Sequence, residues 1–163
     1  MTLSLDQYKS LLHVKESLFL KKREEAFEEL RRVLKEIPSD ADVNWFGCNV
    51  VDVADCETLV QFHLEFGNRF DLRNCMNLNK LATCLAGKVD VKVVAPIVKT
   101  VIAQGRGNKI IEAASSSNYE TVKALVDALE LIGERDLARS VLNSACRGGV
   151  KEACEKALPI AYT

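Results

Sequence analysis

The chain has 163 residues, 48% hydrophobic and 28% charged, the balance of a folded globular protein and not of a disordered tail. Twenty-two Lys and Arg stand against 23 Asp and Glu, a formal charge of −1, which excludes the broad cationic field that grips nucleic acid. No apolar run approaches the ~18–20 residues of a membrane span, and MTLSLDQYKS lacks the basic-then-apolar order of a signal peptide. The expected location is therefore the cytoplasm, or cytoplasm and nucleus.

In chain order, residues 4–20 place Tyr8, Leu11, Leu12, Val14, Leu18 and Leu20 on a broad apolar stripe, with Ser4 as N-cap. A second helix follows over 22–37, where Ala26, Phe27, Leu30, Val33, Leu34 and Ile37 recur at helical spacing until Pro38 stops them. Its Lys21-Lys22-Arg23 and Arg31-Arg32 clusters interleave with Glu24, Glu25, Glu28 and Glu29, as on a solvated face. Residues 39–44 form a loop. A short inner helix is expected around Cys48–Ala54 and an outer one over Glu57–Phe66, closed by Gly67. After the loop NRFDLRNCMN, LNKLATCLA predicts another inner helix, and DVKVVAPIVKTVIA an outer helix kinked by Pro96. NKIIEAAS and NYETVKALVDALELI make the next pair. The last pair is ERDLARSVLNSACR and VKEACEKAL, ended by Pro159.

These pairs are evenly spaced. Glu57, Asp90, Glu120 and Glu152 stand 33 (90 − 57), 30 (120 − 90) and 32 (152 − 120) residues apart. Three residues before each lies a small residue: Ala54, Gly87, Ser117 and Gly149. A period of about 32 residues marks a stacked repeat. The expected fold is all-α, a helix-turn-helix repeat stack (solenoid) of about five helix pairs in one domain over residues 1–163. Residues 1–38 form a capping pair, and four units follow over 39–67, 68–103, 104–132 and 133–158.

Six cysteines are present, Cys48, Cys56, Cys75, Cys84, Cys146 and Cys154, and none forms a CxxC pair. Most sit in apolar helical runs, so the expectation is free thiols acting as small buried hydrophobes in a reducing compartment, ahead of the alternative of a zinc site or a disulfide framework. Only His13 and His63 could add imidazole ligands, and neither has metal-like spacing. The segment Gln104 to Lys109, QGRGNK, lacks the spacing of a phosphate loop and reads as a turn between pairs. No metal, no cofactor and no catalytic set is expected.

The stretch Ala113 to Val126, AASSSNYETVKALV, resembles the ankyrin repeat, in which two small residues end an inner helix and an acidic residue opens a Val- and Leu-rich outer one. Asp40-Ala41-Asp42-Val43-Asn44 is similar to that family's loop, although no unit carries its TPLH tetrapeptide. The resemblance implies a non-catalytic protein-binding module, a small regulatory subunit or adaptor, with partners that include protein kinases of the cell cycle. A second resemblance runs over Glu120 to Leu142, where Gly133, Asp136, Leu137 and Ala138 match the last two helices of death-fold adaptors, with Glu134 in place of their arginine. That reading implies homotypic oligomers. For the protein partner, Trp45, Phe46, Arg69, Phe70, Arg73 and Arg106 are the candidate contacts, since loops of a stack align along one edge and aromatic and Arg side chains anchor interfaces. Trp45 and Phe46 could instead close the core between the first two units.

Overall fold

The computed structural model describes the backbone of residues 2–161 and the side chains of residues 2–157. Among them are ten α-helices and no strand: α1 Leu5–Phe19, α2 Arg23–Glu36, α3 Asn44–Val53, α4 Cys56–Phe66, α5 Leu78–Leu85, α6 Val91–Ala103, α7 Gly107–Ala114, α8 Tyr119–Leu131, α9 Arg135–Arg147 and α10 Lys151–Ala161, with a one-turn 3-10 helix Gly67–Arg69 after α4. The chain divides into two compact units, Met1–Asn77 and Leu78–Thr163.

Short polar side chains start several of these helices, because the first amides of a helix have no internal acceptor. The Ser4 hydroxyl accepts from Gln7 N at 3.1 Å while the Gln7 amide oxygen accepts from Ser4 N at 3.0 Å, a reciprocal cap. Asp55 caps α4 through Thr58 N, Asp90 caps α6 through Lys92 N, and Asn118 caps α8 through Thr121 N. Four helix ends share one closing pattern. Lys22 N, Arg106 N, Glu134 N and Val150 N each donate to the carbonyl five residues back, and the residue before each has positive φ: Lys21 at 62°, Gly105 at 78°, Gly133 at 81° and Gly149 at 101°.

In the first unit, α1 packs on α2 and on α3, and α2 meets α4 through Phe27 and Phe66, whose ring centroids are 5.4 Å apart. Seven rings form a continuous chain through this unit. Tyr8 meets Trp45 at 5.2 Å, Trp45 meets Phe46 at 6.1 Å, Phe46 meets Phe70 at 5.8 Å, and Phe70 meets Phe62 at 5.3 Å, which leads through Phe66 to Phe27. Phe46 and Phe62 are fully buried, worth about 1.5–3 kcal/mol each in area removed from water. In the second unit, α5 packs on α6, α6 on α8, α7 on α9, and α9 on both α8 and α10. Its core is aliphatic, with Leu81, Leu85, Ile110, Leu125 and Leu129 wholly enclosed.

Three expectations need correction. The cysteines are not free thiols: Cys48 pairs with Cys75 across 27 residues, Cys146 with Cys154 across 8, and no cysteine is left reduced. The chain folds back on itself at both places, bringing the Cα atoms to 5.2 and 4.5 Å, so the free-thiol argument for a reducing compartment falls away. Helix α3 begins at Asn44, four residues before the expected start, because Trp45, Phe46 and Gly47 are helical. Helix α10 passes through Pro159 instead of ending there. Helix α6 runs unbroken across Pro96, and no helix is long and apolar enough to cross a membrane among the described residues.

Candidate binding surface

The chain after α4 makes one segment of irregular backbone, residues 70–77, that is fastened at intervals of one or two residues. Phe70 is buried in the ring chain and anchors its start. Asp71 N donates to the Asn44 side-chain oxygen at 2.7 Å. The Asp71 carboxylate accepts from Arg73 N at 3.1 Å, from Arg73 Nε at 2.9 Å and from Arg73 Nη2 at 2.6 Å. Cys75 is bonded to Cys48 on α3, and the Asn77 amide donates to Asp52 Oδ1 at 2.7 Å. Gly47 lets the loop approach α3. A β-carbon there would lie 2.7 Å from Leu72 Cδ2 and 3.1 Å from Phe70 Cβ.

Just upstream, Arg69 Nη2 donates to the carbonyls of Pro38 at 3.2 Å and Ala41 at 3.1 Å. This ties the loop before α3 to the loop after α4. Asp71, Arg73, Asn74, Met76 and Asn77 are exposed along the tethered segment, Met76 at 68%. The charge-assisted bonds from Arg73 hold the Asp71 carboxyl down at about 2 from its usual 3.8. Arg73 is thus oriented by its own neighbour, and its guanidinium is held in the charged form.

The six residues expected at an interface therefore take different roles. Phe46 and Phe70 lie in the core, which corrects their assignment as contacts: both rings are spent on the aromatic chain. Trp45 is half-buried between Tyr8 and Phe46. Arg69 is half-buried and serves two backbone carbonyls. Arg73 is exposed as expected. Arg106 belongs to the second unit, where it is the N-cap residue of α7. Met76 was missed, since a lone Met beside a cysteine carries no pattern.

Elsewhere an open charged cleft between α2 and α4 holds ion pairs of its own. Between α2 and α4, Arg31 Nη2 meets Glu65 Oε1 at 2.7 Å and Arg23 meets Glu57 at 3.4 Å, which lowers the Glu65 pKa chiefly through the Arg31 hydrogen bond. His13 Nδ1 lies 2.6 Å from Glu29 Oε2. His63, half-buried on α4, has its pKa lowered by that burial, which favours the neutral ring. In QGRGNK, the amides of Gly105 and Arg106 already donate to Ile102 O and Val101 O, so they close α6 instead of facing an anion. Among the described residues no group of three His, Cys, Asp or Glu is placed to hold a metal ion.

Residues 6–160 match the family described as "Domain of unknown function (DUF1955)". A crystal structure of a hypothetical protein from the hyperthermophilic archaeon Sulfolobus tokodaii has a similar fold, with TM-score 0.63 and 24% identity over 94% of this chain and 99% of that one. No curated protein sequence matches the chain.

Proposed function

The chain belongs to the DUF1955 family, a grouping that carries no activity with it, and we propose from its own surface that it is a non-catalytic module which holds another protein on the loop of residues 67–77. The observation that carries this is the exposed pair Arg73 and Met76 on backbone fastened by the Cys48–Cys75 disulfide and the Asn44–Asp71 and Asn77–Asp52 hydrogen bonds. A loop already ordered before binding loses little entropy on association. Arg and Met are also among the side chains enriched in protein interfaces. The packing of α6 on α8 and of α7 on α9, with Ser144 bonded to Ile111 across 33 residues, supports reading the second unit as a repeat scaffold. A protein-kinase partner is the narrower form of this proposal and rests on the ankyrin-like residues 113–126 alone.

The test is affinity capture with the native chain beside Arg73→Ala and Met76→Ala variants. The native chain should retain a defined protein that both variants lose while their far-ultraviolet ellipticity shows them folded. Equal capture by all three would remove the loop from the function. The competing death-fold reading is separated by sedimentation at rising concentration, where it requires open-ended growth.

A further inference from the structure

Helix α1 is apolar on two faces. Leu11, Val14 and Leu18 point into the first unit and are buried. Leu5, Tyr8, Leu12 and Phe19 remain 67%, 45%, 38% and 67% exposed. At 100° per residue these four fall within one narrow stripe, spaced i, i+3, i+7 and i+14, the seam of a helix that packs against another helix. Tyr8 borders Trp45 of α3 on one side of this stripe, and Leu5, Leu12 and Phe19, seven residues apart, keep their exposure beyond it.

Charge along the stripe selects the occupant. Lys9 and Glu16 are both exposed, seven residues apart on the same flank of the seam. In an antiparallel pair of identical helices the same flanks face each other with their order reversed. Centred on Leu12, that arrangement brings Lys9 of each copy to within one residue, about 1.5 Å along the axis, of Glu16 of the other. It also sets Leu5 of each copy against Phe19 of the other and leaves the two Leu12 side chains in contact. A parallel pair would bring each flank against the opposite one and leave Lys9 with no carboxylate facing it.

We propose that the outward face of α1 is a self-association surface on which a second copy of this chain docks antiparallel about a twofold axis. Such a contact uses the same patch on both partners and closes at two copies. A seam about 22 Å long, from fifteen residues at 1.5 Å each, sits at the small end of specific interfaces, so the dimer depends on concentration. It involves none of the loop residues 67–77, so its failure and that of the loop reading are distinguishable.

Sedimentation of the native chain over rising concentration should show mass climbing from 18.1 kDa to twice that value and no further. Leu12→Glu should stay monomeric throughout, with its helical signal and melting temperature unchanged. Lys9→Glu and Glu16→Lys should each weaken the dimer by about tenfold or more, because each sets like charges face to face. Mixed together, the two variants should form a heterodimer with both ion pairs rebuilt. A native chain that stays monomeric, grows beyond two copies, or dimerises equally well with Leu12→Glu would overturn the proposal, as would failure of the mixed variants to associate.

Discussion

Gly148 lies so close to Ser115 that a β-carbon on it would fall 1.9 Å from the Ser115 carbonyl oxygen. Gly148 is the C-cap of α9 and Ser115 the C-cap of α7, 33 positions apart (148 − 115). The two helix ends meet backbone to backbone, and only a residue without a side chain permits it. Gly148→Ala should force them apart at a cost of about 1–3 kcal/mol or more, read as a fall in the denaturant midpoint. An unchanged midpoint would mean that these helix ends do not touch.

Four residues earlier the same pair of helices is joined by a weaker link. The buried Ser144 hydroxyl donates to Ile111 O at 2.9 Å, a carbonyl in the last turn of α7 where helical donors run out. Ser144→Ala should cost about 1 kcal/mol, clearly less than the glycine substitution, in the same unfolding assay.

The two disulfides described within the units should differ in weight. Closing 27 residues, Cys48–Cys75 stabilises by about 3.5 kcal/mol in the chain-entropy picture, and Cys146–Cys154, closing 8, by about 2.5 kcal/mol. Paired Cys→Ser variants compared by thermal unfolding test the order. The Cys48→Ser/Cys75→Ser form should also lose capture of the partner, because the loop is then no longer held against α3.

Asp71 titrates far below its ordinary 3.8, at about 2, chiefly through the Arg73 side-chain hydrogen bonds. A depressed folded-state value means that the contribution is present above the unfolded value and fades as pH falls from near 4 through about 2. The carboxyl carbon of Asp71 followed by NMR should show its inflection near 2. In Arg73→Ala the inflection should move back up toward the ordinary value, and an inflection unmoved by that substitution would dissociate the pair.

Lys21 holds φ at 62°, a conformation that glycines adopt at the three equivalent helix ends. A side chain there costs roughly 1–2 kcal/mol, partly offset by the extra freedom glycine has when unfolded. Lys21→Gly should therefore raise stability by about 0.5–1 kcal/mol. A lower melting temperature would show that the Lys21 side chain does more than tolerate its turn.

Helix positions were legible because they are written locally. The apolar spacing of residues 4–20 and 22–37, and the Ser4 cap, announce elements within a few residues. What depended on distant partners was not legible. Nothing near Cys48 says that Cys75 will return to it, and nothing near Arg69 says that the carbonyls of Pro38 and Ala41 will claim its guanidinium. Phe46 and Phe70 fit an interface by residue type, yet only the folded ring chain decides that they face inward. Pro159 and the early start of α3 show the same limit at shorter range, where the helix bounds depart from the local stop and start signals.

Trp45 is the sole tryptophan of the chain, and every ring stacked around it belongs to residues before Asn77. Its emission is thus a built-in optical reporter confined to the first four helices, whereas far-ultraviolet ellipticity sums over all ten. Recording both during one melt asks whether the aromatic half and the aliphatic half of the molecule come apart as one cooperative body or in sequence, without adding any label.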